Sequence, residues 1–173
     1  MAVQQDTAEW NWAGNYSYGA AEIHRPATVD QLRALVAGAA KVRALGSRHS
    51  FNSLADSDGI LVSLAGLEPT LSIDAARSTA TVNAGITYGM LAAELKRHGK
   101  AVHNLASLPH ISIAGAVATA THGSGTPMEI WRPRWSGWNS LTPQGRSAPS
   151  PGRVLPIFLA TWWDSVRWAS SPR

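Results

Sequence analysis

Proline placement divides this chain. Seven of its ten prolines follow Gly125, at positions 127, 133, 143, 149, 151, 156 and 172. A proline has no amide proton to give a helix interior or a central strand, and its ring clashes with the preceding helical turn. The spacing of these prolines leads to the expectation of no helix or central strand after Gly125, and no core-forming period is found there. A folded core is therefore expected within Trp10 to Gly125, and residues 126–173 read as a tail.

The tail differs in other ways. It holds six of the eight tryptophans, and its cations are all arginine. Up to Gly125 nine Lys or Arg balance nine Asp or Glu, whereas the tail has six Arg and two acids, so the whole net charge of +4 belongs to it. A basic balance often marks a nucleic-acid or membrane partner. Here it says nothing of that kind about residues 10–125, and neither partner is expected for them. The absence of cysteine excludes a disulfide framework and a thiolate metal site, and leaves the redox compartment open. No run of about 18 apolar residues exists. The opening Met-Ala-Val-Gln-Gln-Asp also lacks the features of a leader peptide, so the expectation is a soluble, cytoplasmic protein.

Trp10 to Tyr18, rich in Trp, Tyr, Asn and Gly, reads as an extended segment laying aromatics against the domain. Thr28 and Gln31 form a capping box ahead of Val29, Leu32, Leu35, Val36 and Ala39, which recur at helical spacing. Val42 to Leu45 and Ile60 to Leu64 read as buried strands, giving an α/β unit. The alternating segments Leu71 to Asp74 and Thr79 to Ala84 predict a β-hairpin. A helix follows in which Leu91 and Leu95 share a face and Gly99 is the stop. Ala101 to Leu105 is expected to be the next strand.

Two stretches carry the chemistry. The first is Leu45 to Asn52, Leu-Gly-Ser-Arg-His-Ser-Phe-Asn, at the carboxyl end of a strand, where ligands bind in such folds. Small hydroxyls and backbone N–H groups after a strand suit a phosphate. The second, Ser107 to Gly125, is almost free of charge and of large side chains. An ordinary core segment needs bulk. This one suits backbone lying close to a large flat ligand. The lysine that ends a P-loop is missing, as is a Gly-x-Gly-x-x-Gly fingerprint after Leu45. His24, His98, His103 and His110 lack metal-ligand spacing with acidic partners and read as surface or satisfied histidines.

Together the two stretches, with Asn11-Trp12-Ala13-Gly14-Asn15 and Arg25-Pro26, resemble the FAD-binding (PCMH-type) domain of the vanillyl-alcohol oxidase superfamily, and more narrowly the bacterial alditol (xylitol) oxidases. The likeness covers about Trp10 to Gly125. It implies an α+β fold: the first αβ subdomain and the opening of a second, incomplete. The implied cofactor is FAD, bonded covalently through His49. Ala44, Leu45, Gly46, Ser47, Arg48, His49 and Ser50 would form the pyrophosphate loop. Ser107, Ser112, Gly115, Thr119, Ala120, Thr121 and His122 would line the rest of the cofactor. The implied reaction is hydride transfer from an alcohol group of a polyol to the flavin, which O2 reoxidises. A neutral imidazole is needed for the covalent bond, and Arg48 is expected to disfavour its protonation. Arg48 also replaces a glycine of the more usual Gly-Ser-Gly-His-Ser loop. No metal is implied, and no catalytic base can be carried over, because the family places it in a later cap domain. The alternative is a truncated, catalytically inactive chain.

Three readings of residues 126–173 stand beside one another: a disordered basic extension, an Arg/Trp nucleic-acid or membrane binder, and text translated out of frame. For the last, codons permitted from the third base of Met128 onward reread the stretch to Pro143 as strand-like sequence. The same offset does so from Ile157 to Pro172. Both rereadings resemble the segment after His-Gly-Ser-Gly in alditol oxidases.

Overall fold

The computed structural model describes residues 9–76, 78–102, 105, 107–119 and 121, together with the backbone of 138–141, 147–150 and 160–167. Its first layer is a three-stranded parallel sheet of β1 (Glu22–His24), β2 (Val42–Leu45) and β3 (Ile60–Ser63), in the order β1-β3-β2. Helix α1 (Val29–Gly38) makes the crossover between β1 and β2. It begins where its sequence says: the Thr28 side chain accepts from the Gln31 N–H at 3.2 Å, and the Gln31 carboxamide accepts from the Ala27 N–H at 2.8 Å. Leu32 and Val36 are buried.

Both faces of a parallel sheet must be covered, and β3 shows how this is done. Leu61 packs with Tyr18 and Leu45 in a small cluster. Its neighbour Val62 joins Leu32 and Val36 in the main core. Successive side chains of a strand point to opposite faces, so this one strand feeds two cores.

The second layer starts as the expected hairpin. β4 (Leu71–Asp74) pairs antiparallel with β5 (Thr79–Asn83), and Ser78 turns the chain at φ +52°. Helix α2 (Tyr88–Arg97) packs Leu91 and Leu95 into the main core. It ends as expected at Gly99, with φ +64° and the Lys100 N–H returning to the Leu95 carbonyl at 2.9 Å. A short helix, α3 (Ile113–Ala118), lies inside the second small-residue stretch. The sheet is completed by β6 (Trp138–Leu141), β7 (Ser147–Ser150) and β8 (Ala160–Arg167), in the order β4-β5-β8-β6-β7, with these neighbours antiparallel. A parallel βαβ layer followed by an antiparallel sheet is the α+β arrangement the sequence implies.

Several expectations change. Residues 101, 102 and 105 carry no strand. Val102 is buried as a lone apolar anchor, which holds the chain down without a ladder. The other two residues of that stretch, 103 and 104, fall outside the described ones. Strand β1, just before Pro26, is not foreseen by the sequence, because three residues give too short a pattern to read. In the segment from Trp10 to Tyr18 only Tyr18 is buried among the aromatics, while Trp10 and Trp12 are more than half exposed. After Gly125, where the proline spacing predicts no helix or central strand, the described residues include three strands. β6 and β8 lie between prolines, whereas Pro149 sits within β7, an edge strand of the sheet, which needs no amide donor on its outer side.

Candidate functional site

Strand β2 ends on buried Leu45 and releases the loop Gly46 to Ser50. Arg48 takes a left-handed conformation, φ +65°. The loop is held from outside by the segment from Asn11 to Asn15. The Trp12 N–H donates to the Arg48 carbonyl at 2.8 Å, the Asn11 carboxamide donates to the Ser50 carbonyl at 2.9 Å, and Asn15 reaches the Phe51 carbonyl at 3.2 Å. Asn11 is itself buried, and its carboxamide oxygen accepts from the N–H groups of Asn15 and Tyr16. The loop carbonyls are thus occupied on one side. Among the described residues no acceptor meets the backbone N–H groups of Ser47 to Ser50. Successive free N–H groups beside a left-handed residue are the makings of an anion-binding nest.

The second stretch comes to this loop through Ser112. Its N–H donates to Ser47 Oγ at 3.0 Å. The approach is close on both sides, since a Cβ on Gly46 would stand 2.8 Å from Ser112 Oγ and one on Gly115 would stand 2.7 Å from it, so a side chain at either position would make the serine hydroxyl turn away. Ser112 Oγ is buried and has no hydrogen-bond partner among the described residues. Thr119 instead bonds back to the Gly115 carbonyl at 3.1 Å and meets the Thr121 hydroxyl at 3.1 Å.

A cleft of about 1040 Å³ runs along the open edge of β2 and takes in Ala44, Gly46 to Ser50, Gly115, Thr119 and Thr121. Leu45 is turned into the core, and Ser107 is exposed and does not line the cleft. Ala120 and His122 lie outside the described residues.

His49 stands at the mouth of the loop. Its Nδ1 is 3.0 Å from the Ser47 carbonyl, which can only accept, so Nδ1 is the donor, and in the neutral ring Nε2 then holds the lone pair. Nε2 is buried with no partner among the described residues. Trp12 stacks on the imidazole at 4.8 Å between centroids and 21° between planes, and the His110 ring is 4.6 Å away, tilted by 46°. Burial and the neighbouring His110 hold the imidazole below its usual range, against the opposing effect of the Ser47 carbonyl. Arg48, expected to play that part, pairs with Glu9 at 3.1 Å and is not among the causes.

Trp12 and His110 are site residues that the sequence does not disclose. Its composition marks Trp12 only as an aromatic of the opening segment, and His110 only as a surface histidine. The available signal is the position of His110 three residues after Ser107, in a stretch already expected to meet the same ligand as the His49 loop. Among the described residues no group of three His, Asp or Glu is placed to hold a metal. His24 and His98 pair locally with Glu22 and Glu94.

The site suits a dinucleotide with a flat ring system. Among the described residues two buried polar atoms, Ser112 Oγ and His49 Nε2, have no partner and border a loop of free N–H groups, with Gly46 and Gly115 close against the serine. Residues 20–146 match the family model described as "FAD binding domain". That match runs past Gly125, where the resemblance read from the residues stops. Alditol oxidase of a Streptomyces species is 48% identical over 122 residues, which is 69% of this chain and 29% of that protein. L-gulono-1,4-lactone dehydrogenase of Mycobacterium tuberculosis is 36% identical over 66% of this chain and 28% of its own length. L-gulonolactone oxidase of Mus musculus is 29% identical over 66% and 27%. The chain therefore spans less than a third of each of these relatives. It belongs to the FAD-binding domain family, within the vanillyl-alcohol oxidase superfamily of flavoproteins, and is similar to the FAD-binding portion of alditol and lactone oxidases.

Proposed function

We propose that this domain serves the oxidation of a polyol, with its FAD bonded to His49 and O2 as the final acceptor. The observation that carries the reading is the buried Nε2 of His49, without a partner among the described residues, at the end of a phosphate-type loop. Likeness to alditol oxidase supports the polyol. The N–H groups of Ser47 to Ser50 would hold the pyrophosphate, where opposite partial charge favours it. Gly46 and Gly115 would let the cofactor lie against backbone, and Ser112 Oγ would donate to it. FAD, when bound, supplies the hydride acceptor, and the protein supplies placement. Neutral His49 provides the lone pair for attachment through a ring nitrogen.

The test is an intact mass of the denatured chain with a visible spectrum, followed by a peroxide assay with xylitol and sorbitol. Yellow protein whose mass is raised by one FAD, forming peroxide with either polyol, is the expected result. Colourless protein at its sequence mass ends the attachment reading. Yellow protein that forms no peroxide with either polyol ends the turnover reading and leaves FAD binding in place.

A further inference from the structure

We infer that Trp12 and His110 are positioning residues for flavin attachment, forming a frame around the His49 ring that fixes its plane. The inference rests on the proposed attachment at His49 and deepens it. Three contacts restrain the imidazole: Nδ1 on the Ser47 carbonyl, the Trp12 indole stacked on the ring, and His110 tilted against it. Trp12 and His110 also contact each other, with ring centroids 5.6 Å apart, so the three rings form one cluster. Trp12 acts twice, because its own N–H holds the Arg48 carbonyl next to the histidine. The indole is more than half exposed, which makes it a poor core residue.

The chemistry explains why a frame is needed. Attachment forms a bond from an imidazole nitrogen to the 8α carbon of the flavin and breaks a C–H bond of that methyl group. The imidazole N–H proton is also given up. The electron pair and both protons pass to the flavin ring, which O2 returns to the oxidised state as it becomes peroxide. A protonated ring has no lone pair to give, and a ring free to turn presents it poorly. Trp12 shields the imidazole from water, and desolvation is the first cause of its lowered basicity. Among the described residues, the charged or titratable groups around His49 are His110 against the ring and Arg48 beside it in the loop, whose guanidinium shares the Glu9 carboxylate with Arg25.

The experiment adds FAD to the flavin-free full chain and follows covalent incorporation from pH 5 to 8 by intact mass. Non-covalent binding is followed separately by quenching of FAD fluorescence. Trp12→Ala is expected to slow attachment by about ten-fold, the size of effect that a lost stacking contact and a misplaced nucleophile produce. Its pH profile should shift to higher pH, with FAD binding little changed. Trp12→Phe should restore most of the rate, and His110→Ala should lower the rate while moving the profile in the same sense, toward higher pH, because both changes remove a cause of the lowered basicity. Unchanged rate and profile in Trp12→Ala, with wild type attaching normally, overturn the frame alone. A parallel loss of binding and attachment, not rescued by Phe, also overturns it. Wild type that binds FAD but never forms the bond overturns the frame and the attachment reading together.

Discussion

Ser47 Oγ accepts the backbone N–H of Ser112 at 3.0 Å, across 65 residues of sequence. That bond ties the loop after β2 to the start of α3, and so joins the two small-residue stretches into one site. Ser47→Ala leaves the buried Ser112 without an acceptor, at a cost of about 1–3 kcal/mol. For a chain of this size, each kcal/mol lowers the melting temperature by roughly 2–4 °C. The same substitution should weaken FAD binding, measured by fluorescence quenching. An unchanged melt and affinity would show that the two stretches are held together by other means.

Arg48 sits at φ +65°, a conformation that costs a side-chain-bearing residue roughly 1–2 kcal/mol. Arg48→Gly removes that cost and gives up an exposed pair with Glu9, worth about 0–1 kcal/mol. A melting temperature higher by about a degree or more is expected. Arg48→Val, with a branched side chain in the same conformation, should melt lower than wild type. The reverse order of the two variants would mean that the ion pair outweighs the backbone.

Stability should respond to acid in two steps. His49 titrates below 6.5 in the folded state, mainly through burial, so above that pH it contributes nothing either way. As pH falls below 6.5 the unfolded chain takes the proton first, and stability drops until the folded-state value is passed. Burial alone would raise Asp56. The Tyr16 hydroxyl at 2.6 Å and the N–H groups of Gly19, Ser57 and Ala20 outweigh it and hold the carboxyl below 3.8. Its contribution is complete above that pH and is lost as pH falls through the lowered value. Melting curves across the acid range should therefore show a first limb that flattens in His49→Gln and a second that flattens in Asp56→Asn. A first limb unaltered by His49→Gln would assign it to another group.

The out-of-frame proposal for residues 126–173 can be read directly from coding DNA. At each position from Met128 to Pro143 and from Ile157 to Pro172, only some third bases permit the strand-like rereading. The expected finding is that the codons are those permitted ones. A single incompatible codon in either stretch would remove that stretch from the proposal.

The elements most legible in the sequence are those whose local signals agree. Thr28, Gln31 and the spacing of Leu32 and Val36 specify α1 at every level, and Leu91, Leu95 and Gly99 do the same for α2. The loop at His49 is legible because its residue types are themselves the chemistry. Its support is not. Trp12 and His110 reach His49 through tertiary contacts 37 and 61 residues away in sequence, and no local pattern encodes such a meeting. The strands after Gly125 escape a reading that counts a proline against a whole window. The four residues of β6 and the eight of β8 fit between two prolines, and the edge strand β7 tolerates one.

The sheet order β1-β3-β2 also has a bearing on biosynthesis. The middle strand is the last of the three to leave the ribosome, so the first two have no ladder partner in this sheet until Ile60–Ser63 has been made. The nascent chain must carry Glu22–His24 and Val42–Leu45 as unpaired edges, which then close together on one late strand. A pause in translation just after Ser63 has emerged would favour this closure, whereas a pause just before Ile60 would leave two open edges exposed to neighbouring chains.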